Sequence, residues 1–151
     1  MTSIMQDDIL EKYLKAGEIL SRVRSEAKDR VKVGASLLEV AEFVENRTIE
    51  LGADGSAFPC NISRNDEAAH ATPMADDESV FGEDVVKLDI GVHVDGYIAD
   101  SAITVDLTGK HGDLVKASEA ALYAAIDTVK SGVNTAQLGS VIEDTIVDLG
   151  F

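Results

Sequence analysis

At 151 residues, 45% of them hydrophobic, the chain is long enough for one compact domain and too apolar for wholesale disorder. Its net charge of −15, with the acids spread along the chain, argues against nucleic acid and anionic membranes as partners, because phosphate binding needs a basic face. A single cysteine, Cys60, excludes an intrachain disulfide and a thiolate metal cluster.

The stretch from Met1 to Glu11 is polar and acidic, and no apolar run reaches the roughly 18 residues of a membrane span, so a cytoplasmic location is expected. The N-x-[ST] triplets at Asn46 and Asn61 are then chance occurrences. The density of carboxylates suits a salt-loving, halophilic source, where they keep a surface hydrated, and equally an ordinary acidic domain.

In chain order, Ile9 to Val31 fits a helix, with Ile9, Tyr13, Ala16, Leu20, Val23, Ala27 and Val31 on one face at the 3.6-residue period. Gly34 breaks the pattern, and Ser36-Leu37-Leu38-Glu39 reads as a capping box that starts a second helix. That helix buries Leu37, Val40, Ala41, Val44 and Leu51 and ends on Gly52. Ala57 to Ser63 suits a short strand. Asp84 to Val94 and Tyr97 to Leu107 alternate in character around Asp95-Gly96, a hairpin signal. Two more helices follow, at about Gly112 to Ser131 and Thr135 to Leu149.

The second helix pair echoes the first. Lys32 to Gly52 aligns with Lys130 to Gly150 without gaps, giving five identities in 21 positions, and the cap repeats as Ser36/Glu39 against Asn134/Gln137. An internal duplication is expected. Unit one covers about 9–107, with helices and strands; unit two offers its helices, about 112–149, and no strands. The chain therefore reads as a part cut from a longer protein.

If Val94 pairs with Tyr97, Gly91 faces Asp100 and Asp89 faces Ala102. Asp89 and Asp100 are then diagonal neighbours on one sheet face, about 7–8 Å apart at the backbone, provided that no β-bulge shifts the register. His93 shares that face. Leu88, Ile90, Val92, Val94, Tyr97, Ala99 and Ile103 form the opposite, apolar face. Two acids this close are either a solvated acidic surface or a site for a cation that neutralises them.

The segments Phe58-Pro59-Cys60-Asn61-Ile62-Ser63-Arg64-Asn65, Ala68-Ala69-His70-Ala71-Thr72-Pro73, Lys87-Leu88-Asp89-Ile90-Gly91-Val92-His93 and Asp95-Gly96-Tyr97-Ile98-Ala99-Asp100 follow one another in order. Together they resemble type II methionine aminopeptidases, most closely the archaeal branch, from about Lys15 to Phe151. The resemblance implies an α/β (α+β) pita-bread fold of two pseudo-symmetric halves, here incomplete: the first αα-β unit plus the helix pair of the second. Residues 1–151 would be the N-terminal portion of that catalytic domain. It implies Asp89 and Asp100 as metal ligands, Asp100 bridging two divalent ions. His70 would bind substrate and stabilise the reacting carbonyl, and Phe58 would line the methionine side-chain pocket.

Read without the resemblance, His70 is a loop or core histidine, Phe58 a core aromatic at a strand start, and His93 either a support behind the acids or incidental. Cys60 is either a small apolar filler or a reactive thiol near the pocket.

The implied activity is removal of N-terminal methionine from nascent polypeptides, by a hydroxide that two cobalt, manganese, iron or zinc ions activate. The family's further ligands, a histidine and two glutamates, come from its C-terminal half, so the isolated chain is expected to bind metal weakly and to lack peptidase activity. Its partner is the missing C-terminal half, or a second copy through self-association, since an open edge or apolar face should remain. Two alternatives stand: a prolidase-like peptidase, and a non-catalytic pita-bread homologue acting as a binding module.

Overall fold

The structure is a computed structural model and describes residues 7–151. Helix α1 runs Asp7–Lys28, with Asp7 and Asp8 in its first turn and Lys28 in its last, charges that suit the helix dipole. It buries Ala16, Ile19, Leu20, Val23 and Ala27. The helix stops three residues before the expected Val31, in a turn where Arg30 N donates to Ala27 O (2.9 Å), and Val31 is buried outside it. Tyr13, expected on the buried face, is 43% exposed. Its ring instead meets Tyr97 edge-on, 5.2 Å between centroids.

Helix α2 runs Leu37–Glu50. Ser36 caps it by accepting from Glu39 N, and Gly52 takes φ +90° just past its end. Leu37, Val40, Ala41 and Val44 are buried as expected; Thr48 joins them, its hydroxyl satisfied by Val44 O at 2.8 Å, while Leu51 is only partly buried. Arg47 binds Glu26 with both Nε (2.7 Å) and Nη2 (3.2 Å), tying α2 to α1.

Of the strand expected over 57–63 only the end forms, within β2, Asn61–Arg64; a separate short strand, β1, Gly55–Ser56, precedes it. Phe58-Pro59 separates them, because proline has no N–H for a sheet ladder. Strands β3, Val85–Val94, and β4, Tyr97–Asp106, form the long hairpin. Strand β3 is central, antiparallel to β4 along one edge and to β2 and then β1 along the other.

The turn places Asp95 at φ +52° and Gly96 at φ +79°, the paired positive angles of a two-residue hairpin. Val94 pairs with Tyr97 and the ladder continues residue for residue to Val85 and Asp106, so the register expected from the sequence holds without a bulge.

The inner face, Val86, Leu88, Ile90, Val92 and Val94, is buried and faces the helices, joined by Ile62, Cys60 and Phe81. Helix α1 lies against β3 and β4, and α2 against α1, β1 and β2. Lys12 of α1 holds Asp95 at 2.6 Å, which fixes the helix to the hairpin tip.

A second compact unit runs Gly109–Phe151 and holds α3, Gly112–Thr128, packed on α4, Thr135–Asp148. Helices α2 and α4 each have 14 residues, at a constant offset of 98. The backbone repeats at the same offset: Gly34 and Gly132 both have φ +85°, and Gly52 and Gly150 have φ +90° and +89°. The caps Ser36 and Asn134 share the same extended conformation, although Asn134 accepts from Ala136 N, one residue earlier than Ser36's partner. No α4 side chain is buried, and Leu122, Tyr123, Ile126, Val129 and Val147 of this unit are more than half exposed.

Bonds from Arg47 and then Arg22 hold the Glu26 carboxyl down at about 2, against an ordinary 4.5. A depressed folded-state pKa contributes stability that is full above the ordinary glutamate value and is lost as pH falls through the folded one. Solvent screening keeps the contribution small. Glu26→Gln should therefore melt below the parent at neutral pH. The gap should close as pH falls from about 4.5 to about 2 in circular-dichroism melts; a pH-independent gap would mean that Glu26 acts through packing instead.

Candidate active site

Alternation with period two puts Lys87, Asp89, Gly91 and His93 of β3 on the outer face, beside Ile98, Asp100, Ala102 and Thr104 of β4. Asp89 stands opposite Ala102 and Gly91 opposite Asp100, so the carboxylates are diagonal neighbours, about 7–8 Å apart at the backbone. Phe58, Pro59, Asn61, His70, Thr72, Asp89 and Asp100 together line a cleft of about 490 Å³. The four residues singled out from sequence, Phe58, His70, Asp89 and Asp100, thus share one cavity.

Strand β2 supplies Asn61 directly across from Asp89. Asn61 is buried, and its Oδ1 accepts from the Thr72 hydroxyl at 2.7 Å. Ile62 N donates to Ala71 O at 2.7 Å, so residues 71–72 run back along β2 and hold His70 at the cleft. The loop's other end is pinned as well. Asn65 bonds Val85 twice and Asp84 once, and Lys87 Nζ donates to the carbonyls of Asn65 and Glu67. The Asn65 amide, then Gly82 N, hold the Asp84 carboxyl below the usual range.

Lys87 shares the acids' face, yet its ammonium is committed to those loop carbonyls. His70 is exposed and has φ +61°, a left-handed conformation that costs a non-glycine residue about 1–2 kcal/mol.

Phe58 is half-buried, with its ring over Gly91, and the preceding Ala57 N donates to Gly91 O at 2.9 Å. His93 does not line the cleft. It lies against Gly55, and its Nδ1 accepts from Gly96 N at 3.3 Å, so it serves the turn. Cys60 turns into the core at 2% exposure, which settles it as a filler away from the pocket. Burial, then the charges of Glu45 and Asp89, push its thiol up to about 12.

Asn61 and Thr72 were not among the residues expected at the site. Asn61 carried a signal, a polar residue alternating with Ile62 in a strand, whereas nothing local marks Thr72.

Unneutralised carboxylates this close repel, and hard oxygen donors of this kind suit a divalent cation. Among the described residues no group of three or more histidine, cysteine or acidic side chains is placed to hold a metal. Asp89 and Asp100 therefore fit part of a ligand set, and hard divalent ions take about six donors.

Comparison with known proteins places the chain in a family. The profile of metallopeptidase family M24 matches residues 11–151, and the chain belongs to that family. It is 54% identical to the methionine aminopeptidase of Archaeoglobus fulgidus, over 97% of this chain and 50% of that one. Against the methionine aminopeptidase of Methanothermus fervidus it is 44% identical, over 94% of this chain and 82% of that one.

Among solved structures, it superposes on the methionine aminopeptidase of Thermotoga maritima with TM-score 0.85 at 24% identity, covering 99% of this chain and 64% of that one. For the prolidase of Pyrococcus horikoshii the values are 0.83 and 24%, with 98% and 44% covered. These likenesses give the fold: the α/β pita-bread fold of the family, present in part. The chain spans about half the length of such curated relatives as the Archaeoglobus fulgidus protein. Among the described residues no helix is long and apolar enough to cross a membrane.

The strain at residue 70 gives a test that separates backbone from imidazole. His70→Gly and His70→Ala both remove the ring, but only glycine accepts φ +61° freely. The glycine variant should be the more stable by about 1 kcal/mol in urea unfolding. Equal stabilities would mean that the loop relaxes out of the left-handed region.

Proposed function

We propose that this chain builds the first half of a cytoplasmic aminopeptidase that removes N-terminal methionine from newly made polypeptides. The observation that carries the reading is the diagonal pair Asp89 and Asp100 in one cleft with His70 and Phe58. The Archaeoglobus fulgidus and Methanothermus fervidus methionine aminopeptidases, at 54% and 44% identity, favour it over a prolidase, whose likeness at 24% identity gives fold alone.

In this reading Asp89 and Asp100 would hold two divalent ions, of cobalt, manganese, iron or zinc. Bound there, such ions supply charge to polarise a carbonyl and lower the pKa of water. His70 donates a hydrogen bond to the carbonyl oxygen of the first peptide bond as negative charge develops on it. Phe58 offers an apolar wall to the first side chain, and Asn61, held by Thr72, stands beside Asp89. The net charge of −15 suits a halophilic archaeal source, and it makes cation capture easier than anion capture.

The constant offset between the two helix pairs supports a pseudo-symmetric protein, with unit one at about 9–107 and the helices of unit two at about 112–149. Further ligands, a histidine and two glutamates, would come from residues beyond this chain.

Reading the source gene past the Phe151 codon tests this directly. A frame continuing into strands with those ligands supports the half-enzyme; a stop there removes it. On the chain itself, calorimetric titration with Mn²⁺ should show weak binding that Asp89→Asn and Asp100→Asn each abolish. Identical curves for parent and variants would leave the acids as a solvated face, the outcome a non-catalytic binding module requires. No methionine should be released from a Met-Ala-Ser peptide by the isolated chain, and chelator-sensitive release would overturn that. Release of proline from an Xaa-Pro dipeptide would favour the prolidase-like alternative.

The exposed apolar residues of α3 and α4 suggest that, without a covering half, the chain self-associates. Sedimentation velocity should show mass rising with concentration; a constant monomer that also melts cooperatively counts against it.

A further inference from the structure

The apolar wall of the cleft rests on a missing side chain. A Cβ built at Gly91 would lie 2.7 Å from Phe58 Cδ1 and 2.8 Å from Cζ, and closer still to Cε1. Real Cβ atoms do not approach ring carbons so closely, because dispersion attraction turns to steep repulsion well outside that distance. The backbone itself makes no such demand. Gly91 sits inside the regular ladder of β3, and it is not one of the positive-φ glycines. An alanine backbone would be at ease there, so the obstacle to a side chain at 91 is the Phe58 ring.

Position 91 is also where both acids meet. It is two residues from Asp89 on the same strand face and directly across from Asp100. The bond from Ala57 N to Gly91 O anchors the segment carrying Phe58 to the same residue. Ring and backbone together seat residues 57–58 on one point of β3.

We infer that Gly91 is a positioning residue for the substrate pocket: lacking a side chain, it lets the Phe58 ring rest over β3 and places the pocket's apolar wall beside the two carboxylates. The inference rests on the aminopeptidase reading for its meaning, since an apolar first side chain held there lies next to the bond to be cut. Any side chain at 91 lifts the ring and reshapes the pocket, while leaving Asp89 and Asp100 on their own strand positions.

The test needs no turnover, so its failure and that of the aminopeptidase reading are distinguishable. In the 151-residue chain, an α-proton of Gly91 should carry a ring-current shift in the NMR spectrum that vanishes in Phe58→Leu. Gly91→Ala should lower the unfolding midpoint by about 5 °C or more. The same substitution in a Phe58→Ala background should move the midpoint by no more than about 2 °C, because the ring it strikes is gone. Should Gly91→Ala fail to fold alone, the double variant still decides: a folded Gly91→Ala/Phe58→Ala chain supports the seat. An unshifted Gly91 α-proton, an unaffected Gly91→Ala chain, or a loss that persists undiminished without Phe58 would overturn it.

Discussion

A chain that reverses in two residues, Asp95 and Gly96, both at positive φ, leaves β3 and β4 one way to pair. Everything placed on the outer face depends on that pairing. Asp89 and Asp100 are eleven positions apart in sequence, yet the turn makes them diagonal neighbours, and the same ladder sends Leu88, Ile90 and Val92 into the core. The face is reinforced where it could slip: Lys12 grips Asp95, Asp54 Oδ2 accepts from Asp95 N, and Tyr13 packs edge-on to Tyr97. Burial of the inner face then penalises any one-residue slip, since it would exchange valines for aspartates against the helices.

The cleft sets concentrated negative charge beside apolar surface. Lys87, on the same face, is drawn off to the carbonyls of the loop that carries His70, so it stiffens that loop in place of neutralising the acids. The loop bears the strain of His70 because bonds at both ends, Asn65 to Val85 and Ala71 to Ile62, fix where it leaves and rejoins the sheet. A carboxylate pair that shares its cleft with a histidine held in a costly conformation marks a site shaped for something that binds.

Much of this was legible in the residues. Asp95-Gly96 flanked by alternating apolar positions fixed the hairpin and the diagonal of the acids, and the helix caps at Ser36 and Asn134 were readable from their spacing. What escaped was non-periodic. Val31 is buried from a turn and Phe81 from a loop, where no repeat marks an inward direction. The break between β1 and β2 follows from Pro59, which the expected strand over 57–63 ran through. Tyr13 lay on the apolar stripe but meets the hairpin tip at the edge of the sheet, so the helical period overstated its burial. The partnership of Asn61 with Thr72 joins residues eleven apart through a loop, and the left-handed backbone of His70 has no composition signal beside it.

The strict two-residue rhythm of the hairpin also governs which changes of length the protein can absorb. One residue added within either strand would turn every side chain beyond it to the opposite face, carrying an aspartate toward the helices and a valine into the cleft. One residue added at the tip, beyond Val94 and Tyr97, would lengthen the loop and leave both faces as they are. Variation in chain length is thus steered to the far end of the hairpin, and the spacing of the acids along their strands can drift only in pairs of residues.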